Sequence, residues 1–217
     1  RLVGSEMCIR DRVEIVQAGA KQVIGVDARE GVLETARRRA EKAGVADRCR
    51  FTTDPAGIEA DVIVSLDSFE HFDDPATVLD LMYGMLRPGG RLLTSFGPTW
   101  YHPLGGHLFS VFPWAHLVLT EKALLRWRTD IRDDGATRFH EVDGGLNQMT
   151  IARFEECIEQ SKFDVLTLQP VPIRKLRWMH TNATREFTSA VVRAELLKPH
   201  AGEAPRVTVA SSSSAAS

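Results

Sequence analysis

Cysteine is scarce in this chain: Cys8, Cys49 and Cys157 stand far apart among 217 residues. An odd, dispersed set excludes a disulfide framework and a four-cysteine zinc centre. A reducing, cytoplasmic setting is the expectation. Long hydrophobic runs are also missing. None approaches the ~18 residues that read as a spanning helix, and the N-terminus lacks the apolar stretch of a secretory signal. There is no excess of one charge either. Lys and Arg total 27 against 29 Asp and Glu, a net charge of −2, so an obligate polyanion binder is not expected. No internal repeat is present. What remains is 43% hydrophobic and 26% charged residues, enough for one domain with a full core.

The two ends differ from the middle. Residues 199–217 close on Ala-Ser-Ser-Ser-Ser-Ala-Ala-Ser and carry almost no large apolar side chain, so they read as a disordered tail. Residues 1–12 show neither strand alternation nor a helical stripe. The string Val3 to Arg12 resembles translated adaptor sequence and is set aside from fold reasoning.

Between these ends, short apolar runs alternate with amphipathic stretches. Val23-Ile24-Gly25-Val26 reads as a strand ending in Asp27. Glu30 to Ala43 reads as a helix with Val32, Leu33, Ala36 and Ala40 on one face, stopped by Gly44. Arg50 to Thr53 and Asp61 to Asp67 read as strands. Asp74 can cap a helix with Pro75 in its first turn, and Val78, Leu79, Met82, Met85 and Leu86 form its buried stripe. Pro88-Gly89-Gly90 reads as a turn before the strand Arg91 to Phe96. Asn147 to Gln160 is helical, and Phe163 to Leu168 and Val191 to Leu197 are closing strands. Strands separated by helices of this length pair in parallel through right-handed crossovers. The fold class is therefore α/β, a doubly wound, mainly parallel sheet. Residues 97–146 interrupt the rhythm with Trp100, Tyr101, Phe109, Phe112, Trp114 and Trp127, and read as an aromatic cap.

In a doubly wound sheet, ligands sit beyond the carboxyl ends of the strands. Asp27 follows one strand and serves either as an acceptor for ribose hydroxyls or as a helix cap. Asp54 follows another, where Asp54-Pro55 is equally a turn. Asp67-Ser68-Phe69-Glu70-His71 follows a third, with two acids and an imidazole within five residues.

Together, Gly25-Val26-Asp27, Asp54, the run Asp61 to Pro75 with its Glu70-His71-Phe72-Asp73-Asp74-Pro75, and Leu86-Arg87-Pro88-Gly89-Gly90 resemble class I S-adenosylmethionine-dependent methyltransferases of the small-molecule "type 11" kind. The resemblance covers Val13 to Phe96 well and Asn147 to Lys198 loosely. It implies a seven-stranded sheet with S-adenosylmethionine across its strand ends. Asp27 would hold the ribose hydroxyls, Ala28 would pack on adenine, and Asp54 would lie near the adenine amine. Ser65, Leu66 and Asp67 would line the methionine side, with Ser68 and His71 towards the acceptor. Where the acceptor must lose a proton, His71, Tyr101 and His102 are the candidate bases.

One part of the family pattern is not matched. Its first strand and glycine-rich loop should fall near Ser5 to Ile9, which read Ser-Glu-Met-Cys-Ile. The expectation is a sheet without its first strand, and a fragment that binds cofactor poorly. The aromatic cap fits a small lipophilic or aromatic acceptor. His102, His107 and His116 do not form a tight ligand set, so no metal is expected. Arg174-Lys175-Leu176-Arg177-Trp178 mixes basic and aromatic residues, yet reads as a solvated loop, not a nucleic-acid surface. A nucleotide-binding oxidoreductase and a degenerate, non-catalytic binding module are the competing readings. The first needs a Gly-x-Gly-x-x-Gly motif upstream of Asp27.

Overall fold

The computed structural model describes residues 2–6, 15–109, 112–130, 135–141 and 145–200, the first of these as backbone. Its centre is a seven-stranded sheet in the order β3-β2-β1-β4-β5-β7-β6. The strands are β1 (Leu2–Glu6), β2 (Val23–Val26), β3 (Cys49–Thr52), β4 (Ala60–Leu66), β5 (Leu86–Phe96), β6 (Asp164–Pro172) and β7 (Ser189–Leu197). Pairing among β1 to β5 is parallel, whereas β7 runs antiparallel to both β5 and β6.

The expectation of a missing first strand is corrected here. β1 lies between β2 and β4, with Leu2 opposite both Val23 and Val62 and Glu6 opposite Leu66. The reason is backbone chemistry. Without a shared neighbour, β2 and β4 would each leave a row of N–H and C=O groups unpaired. An extended five-residue segment satisfies both rows whatever its side chains. A search for side-chain alternation misses such a strand. Residues 7–14, where the glycine-rich loop is expected, lie outside the described residues, as do 201–217 of the proposed tail.

The helices follow the sequence closely. Helix α1 (Glu30–Lys42) buries Leu33, Ala36 and Ala40. Helix α2 (Pro75–Met85) starts at Asp74, whose carboxylate accepts from Thr77 N at 3.2 Å, and buries Leu79, Met82 and Met85. The cap carries α3 (Ala115–Val118) and α4 (Glu121–Thr129) around a small core of its own, in which Phe109, Leu124, Leu125, Phe139 and Leu146 pack together. Helix α5 (Ile151–Gln160) and α6 (Arg185–Thr188) complete the set. The main core joins α2 and α5 to the sheet through Phe69, Phe96 and Phe154, whose rings meet at 4.8–6.5 Å.

The Pro88-Gly89-Gly90 segment does not separate two elements. It bulges within β5, so that Ala60 faces Leu86 but Val62 already faces Arg91. Gly89 has φ +79°, and a Cβ on Gly90 would lie 2.8 Å from Arg87 O and 3.1 Å from Asp61 O. Both positions therefore require glycine.

Glu186 ties the cap side to the core. Its carboxylate accepts from Ile151 N at 3.1 Å and Ala152 N at 2.8 Å, two donors that α5 cannot satisfy internally. Replacing Glu186 with Ala leaves both bare at a positive helix end. We expect a loss of about 1–2 kcal/mol in urea denaturation, with Gln recovering part of it.

Candidate functional site

Parallel pairing brings the carboxyl ends of β1 to β5 to one edge of the sheet. Asp27 and Asp67 follow β2 and β4, two strand spacings apart with β1 between them, or ~10 Å. A cavity of about 510 Å³ opens at this edge, between the segment 26–29 and the turn Phe69–His71. Val78, Met82 and Met85 of α2 form an apolar wall, while Asp27, Ala28 and His71 stand at its polar end.

Asp27 is almost fully buried, at 4% exposure. Its Oδ1 accepts from Arg29 N at 2.9 Å, and the Arg29 guanidinium approaches the same oxygen at 3.5 Å. Its Oδ2 is buried with no hydrogen-bond partner among the described residues. Asp27 is not the cap of α1; Arg29 holds that position and no side chain caps it. Buried acceptors are rarely left unmade because desolvation costs ~1–3 kcal/mol. An oxygen of this kind in a cavity wall suits a donor arriving with a ligand.

The turn after β4 is fixed from several sides. Asp67 has φ +46°, and its N–H donates to Ser95 O at 2.7 Å. The Ser65 and Ser68 hydroxyls meet at 2.6 Å in the interior. Asn147 Nδ2 donates to Phe69 O and Phe72 O at 2.6 and 2.7 Å. His71 Nδ1 lies 2.6 Å from Gly145 O. A carbonyl only accepts, so Nδ1 carries the proton, and in the neutral ring Nε2 holds the free lone pair.

The structure brings Asp27, Ala28 and His71 to one cavity. Thr53 and Pro55 line it, but Asp54 between them is exposed, its Oδ1 accepting from Ala56 N at 2.9 Å. Ser65, Leu66 and Asp67 lie on the next strand tip and do not line this cavity. Tyr101 and His102 sit away from it in the cap. The Tyr101 ring rests on Phe187 with centroids 5.1 Å apart. His102 Nδ1 accepts from Leu104 N at 2.9 Å, which leaves its Nε2 as the protonated nitrogen of the neutral ring.

Two groups at this edge carry no role in the sequence reading. Glu70 is 3% exposed. Its Oε1 accepts from Gly97 N at 3.2 Å, and its Oε2 has no partner among the described residues. Burial pushes its pKa up to about 7, against the opposing pull of the His71 charge and the Gly97 amide. His107 of the cap stacks edge-on to His71 with centroids 5.6 Å apart. Burial, followed by the charge on His71, pulls its pKa down to about 4. The signal available in sequence was Glu70 beside His71. Nothing local foretold that the cap would lay His107 against them.

Comparison with known proteins agrees with this architecture. Residues 11–94 match the model of a methyltransferase domain. Over 78 residues the chain is 38% identical to a ubiquinone biosynthesis O-methyltransferase of Ruegeria pomeroyi, covering 34% of this chain and 32% of that protein. The matched part thus spans about a third of the length of its curated relatives. Among solved structures, a geranyl diphosphate C-methyltransferase from Streptomyces coelicolor A3(2) superposes with a TM-score of 0.59 at 12% identity, over 91% of this chain and 72% of that one. The [4+2]-cyclase SpnF superposes with a TM-score of 0.60 at 14% identity, over 92% and 74%. At such identities the likeness establishes the fold.

Glu70 and His107 act on stability in opposite directions. A carboxyl raised from 4.5 to about 7 makes the folded state hold more protons than the unfolded one, so it lowers stability as pH rises through that window. An imidazole lowered from 6.5 to about 4 does the reverse, raising stability as pH rises between those values. Denaturant melts from pH 4 to 7 should therefore show a rising profile for Glu70→Gln and a falling one for His107→Gln. Identical profiles for wild type and both variants would contradict these environments. Strand order and the solved structures agree on an α/β fold of the methyltransferase kind, and residues 11–94 match a methyltransferase domain.

Proposed function

We propose that the chain binds S-adenosylmethionine at the strand tips and directs its methyl group to a small-molecule acceptor. The observation that carries this reading is the buried, unpartnered Asp27 Oδ2 in the cavity wall. It offers an acceptor to ribose hydroxyls while Oδ1 remains held by the Arg29 amide. When bound, the cofactor supplies a methyl group already activated by its sulfonium.

The residues then have distinct tasks. Asp27 fixes the ribose, and Ala28 offers a small apolar contact for the adenine. Asp54 flanks that end, although Oδ1 is engaged in its own turn. Ser65, Leu66 and Asp67 border the methionine side, where the left-handed Asp67 holds the chain in a bend. Because the methyl group needs little acid–base help, orientation of the acceptor supplies much of the rate. Among the three candidate bases, His71 is favoured. It lines the cavity, and its bond to Gly145 O puts the proton of the neutral ring on Nδ1, which leaves Nε2 as the acceptor. His102 lies away from the cavity with its Nδ1 lone pair taken by Leu104 N, and Tyr101 is engaged with Phe187. The relatives named for ubiquinone biosynthesis, together with the apolar wall and aromatic cap, support a lipophilic or aromatic acceptor.

Calorimetric titration tests the cofactor assignment. Asp27→Ala should weaken S-adenosylmethionine binding roughly 10- to 100-fold, the value of a charge-assisted hydrogen bond. Unchanged affinity removes the ribose role. For the base, His71→Asn should lower kcat and abolish the acidic limb of the pH–rate profile, while cofactor affinity stays the same.

A further inference from the structure

The connection between β6 and β7 is rich in cations. From Val165 to Arg185 the chain contains Arg174, Lys175, Arg177 and Arg185 and no Asp or Glu, and Glu186 is the one acid of the connection. Arg185 is engaged by Glu155, with contacts of 2.8 and 2.5 Å. The other three cations are exposed, and none pairs with an acid among the described residues.

Apolar side chains stand among these cations. Trp178 is 80% exposed, Met179 41% and Phe187 44%. Residues Arg174–Met179 form a 3₁₀ helix, in which positions three apart eclipse. Lys175 therefore lines up with Trp178, and Arg174 with Arg177. The frame beneath is well anchored. Ile173 N donates to Thr188 O at 2.8 Å, Leu176 N to Ile173 O at 2.8 Å, and His180 Nδ1 meets Thr188 Oγ1 at 2.8 Å. The indole is thus held out into solvent by a fixed turn, with no burial to offset its exposure.

This surface continues into the cap. Phe187 carries the Tyr101 ring, and Trp114 Nε1 donates to Tyr101 O at 3.0 Å. Beyond Trp114 the cap exposes Phe112, Leu117 and Val118, the last at 73%. The strand register sets all of this at the cavity's edge of the sheet. Pro172, the end of β6, pairs with Ser189, and Val192 pairs with Phe96, the end of β5.

We propose that this basic and apolar surface docks the protein on an anionic lipid bilayer. Trp178 and Met179 enter the headgroup region, while Arg174, Lys175 and Arg177 face the lipid phosphates. The charge pattern selects an anionic partner. The neighbours of Trp178 select a bilayer over RNA, because single-stranded RNA calls for a row of stacking rings along a basic groove. Here the exposed rings of Trp178, Phe187, Trp114 and Phe112 are interspersed with Met179, Leu117 and Val118, which offer nothing to stack on, and the cations lie at the Trp178 end alone. Docking in this orientation turns the strand tips towards the membrane. It does not depend on methyl transfer, so its failure leaves the cofactor assignment untouched.

Sedimentation with phosphatidylcholine vesicles, with and without phosphatidylglycerol, tests it on the full chain. Binding should require phosphatidylglycerol and weaken with salt. Trp178→Ala should reduce it about tenfold, and Trp178→Phe should retain most of it. The triple change Arg174→Ala, Lys175→Ala, Arg177→Ala should reduce it roughly 100-fold. These side chains are exposed, so circular dichroism should not change. The proposal is overturned by absent binding to anionic vesicles, by binding indifferent to these substitutions, or by polyuridylate binding through the same residues in place of vesicles.

Discussion

Parallel strand pairing is the constraint on which the site depends. It forces successive strands to point the same way, so the residues that follow them gather at one edge. Asp27, Thr53, Asp67 and Gly97 are far apart in sequence and neighbours there because β2, β3, β4 and β5 end together. β1 holds this arrangement by satisfying the backbones of β2 and β4 at once. β6, which like β5 runs against β7, also ends at this edge. There the chain continues as the connection to β7, and so supplies an outer surface to the site.

Most of the scaffold was legible because its signals are local. Asp74-Pro75 announces the start of α2, and of the predicted stripe Leu79, Met82 and Met85 are buried, Val78 is half-buried and Leu86 already opens β5. The closing strands lie where their β-branched runs place them, extended to Pro172 and back to Ser189. β1 was not legible, because backbone pairing on both sides specifies it and no side-chain pattern announces it. The bulge at Pro88–Gly90 was read as a turn for a related reason. Gly89 is demanded by its φ of +79°, and Gly90 by Arg87 O and by Asp61 O of the neighbouring β4. In the site, acids at strand ends could be picked out from sequence, but their states could not. Asp27 and Asp54 look alike in sequence. One is buried with a free oxygen, and the other is exposed and turned to its own loop.

Fold alone underdetermines activity. The same architecture serves a C-methyltransferase and a [4+2]-cyclase at similar structural distance from this chain. What separates such proteins is the set of groups at the strand tips and the segment laid over them. In this chain the overlay is the cap, with a core independent of the sheet's. Its contact with the sheet edge includes the His71–His107 ring pair, and the adjoining Gly97 is held by Glu70.

That junction has an electrostatic logic of its own. Burial opposes the charged form of both Glu70 and His107. Two such groups of opposite sign could have formed an ion pair. Instead Glu70 accepts from the Gly97 amide and His107 meets another imidazole, and burial outweighs what these neighbours offer. The interior therefore favours neutral partners on both sides of the seam. A neutral seam leaves Asp27 as a buried acid with an oxygen still to satisfy at the cavity wall. The hydrogen-bond acceptors offered at this edge are accordingly Asp27 Oδ2 and, in the neutral ring, Nε2 of His71, with the cap laid against the latter through His107.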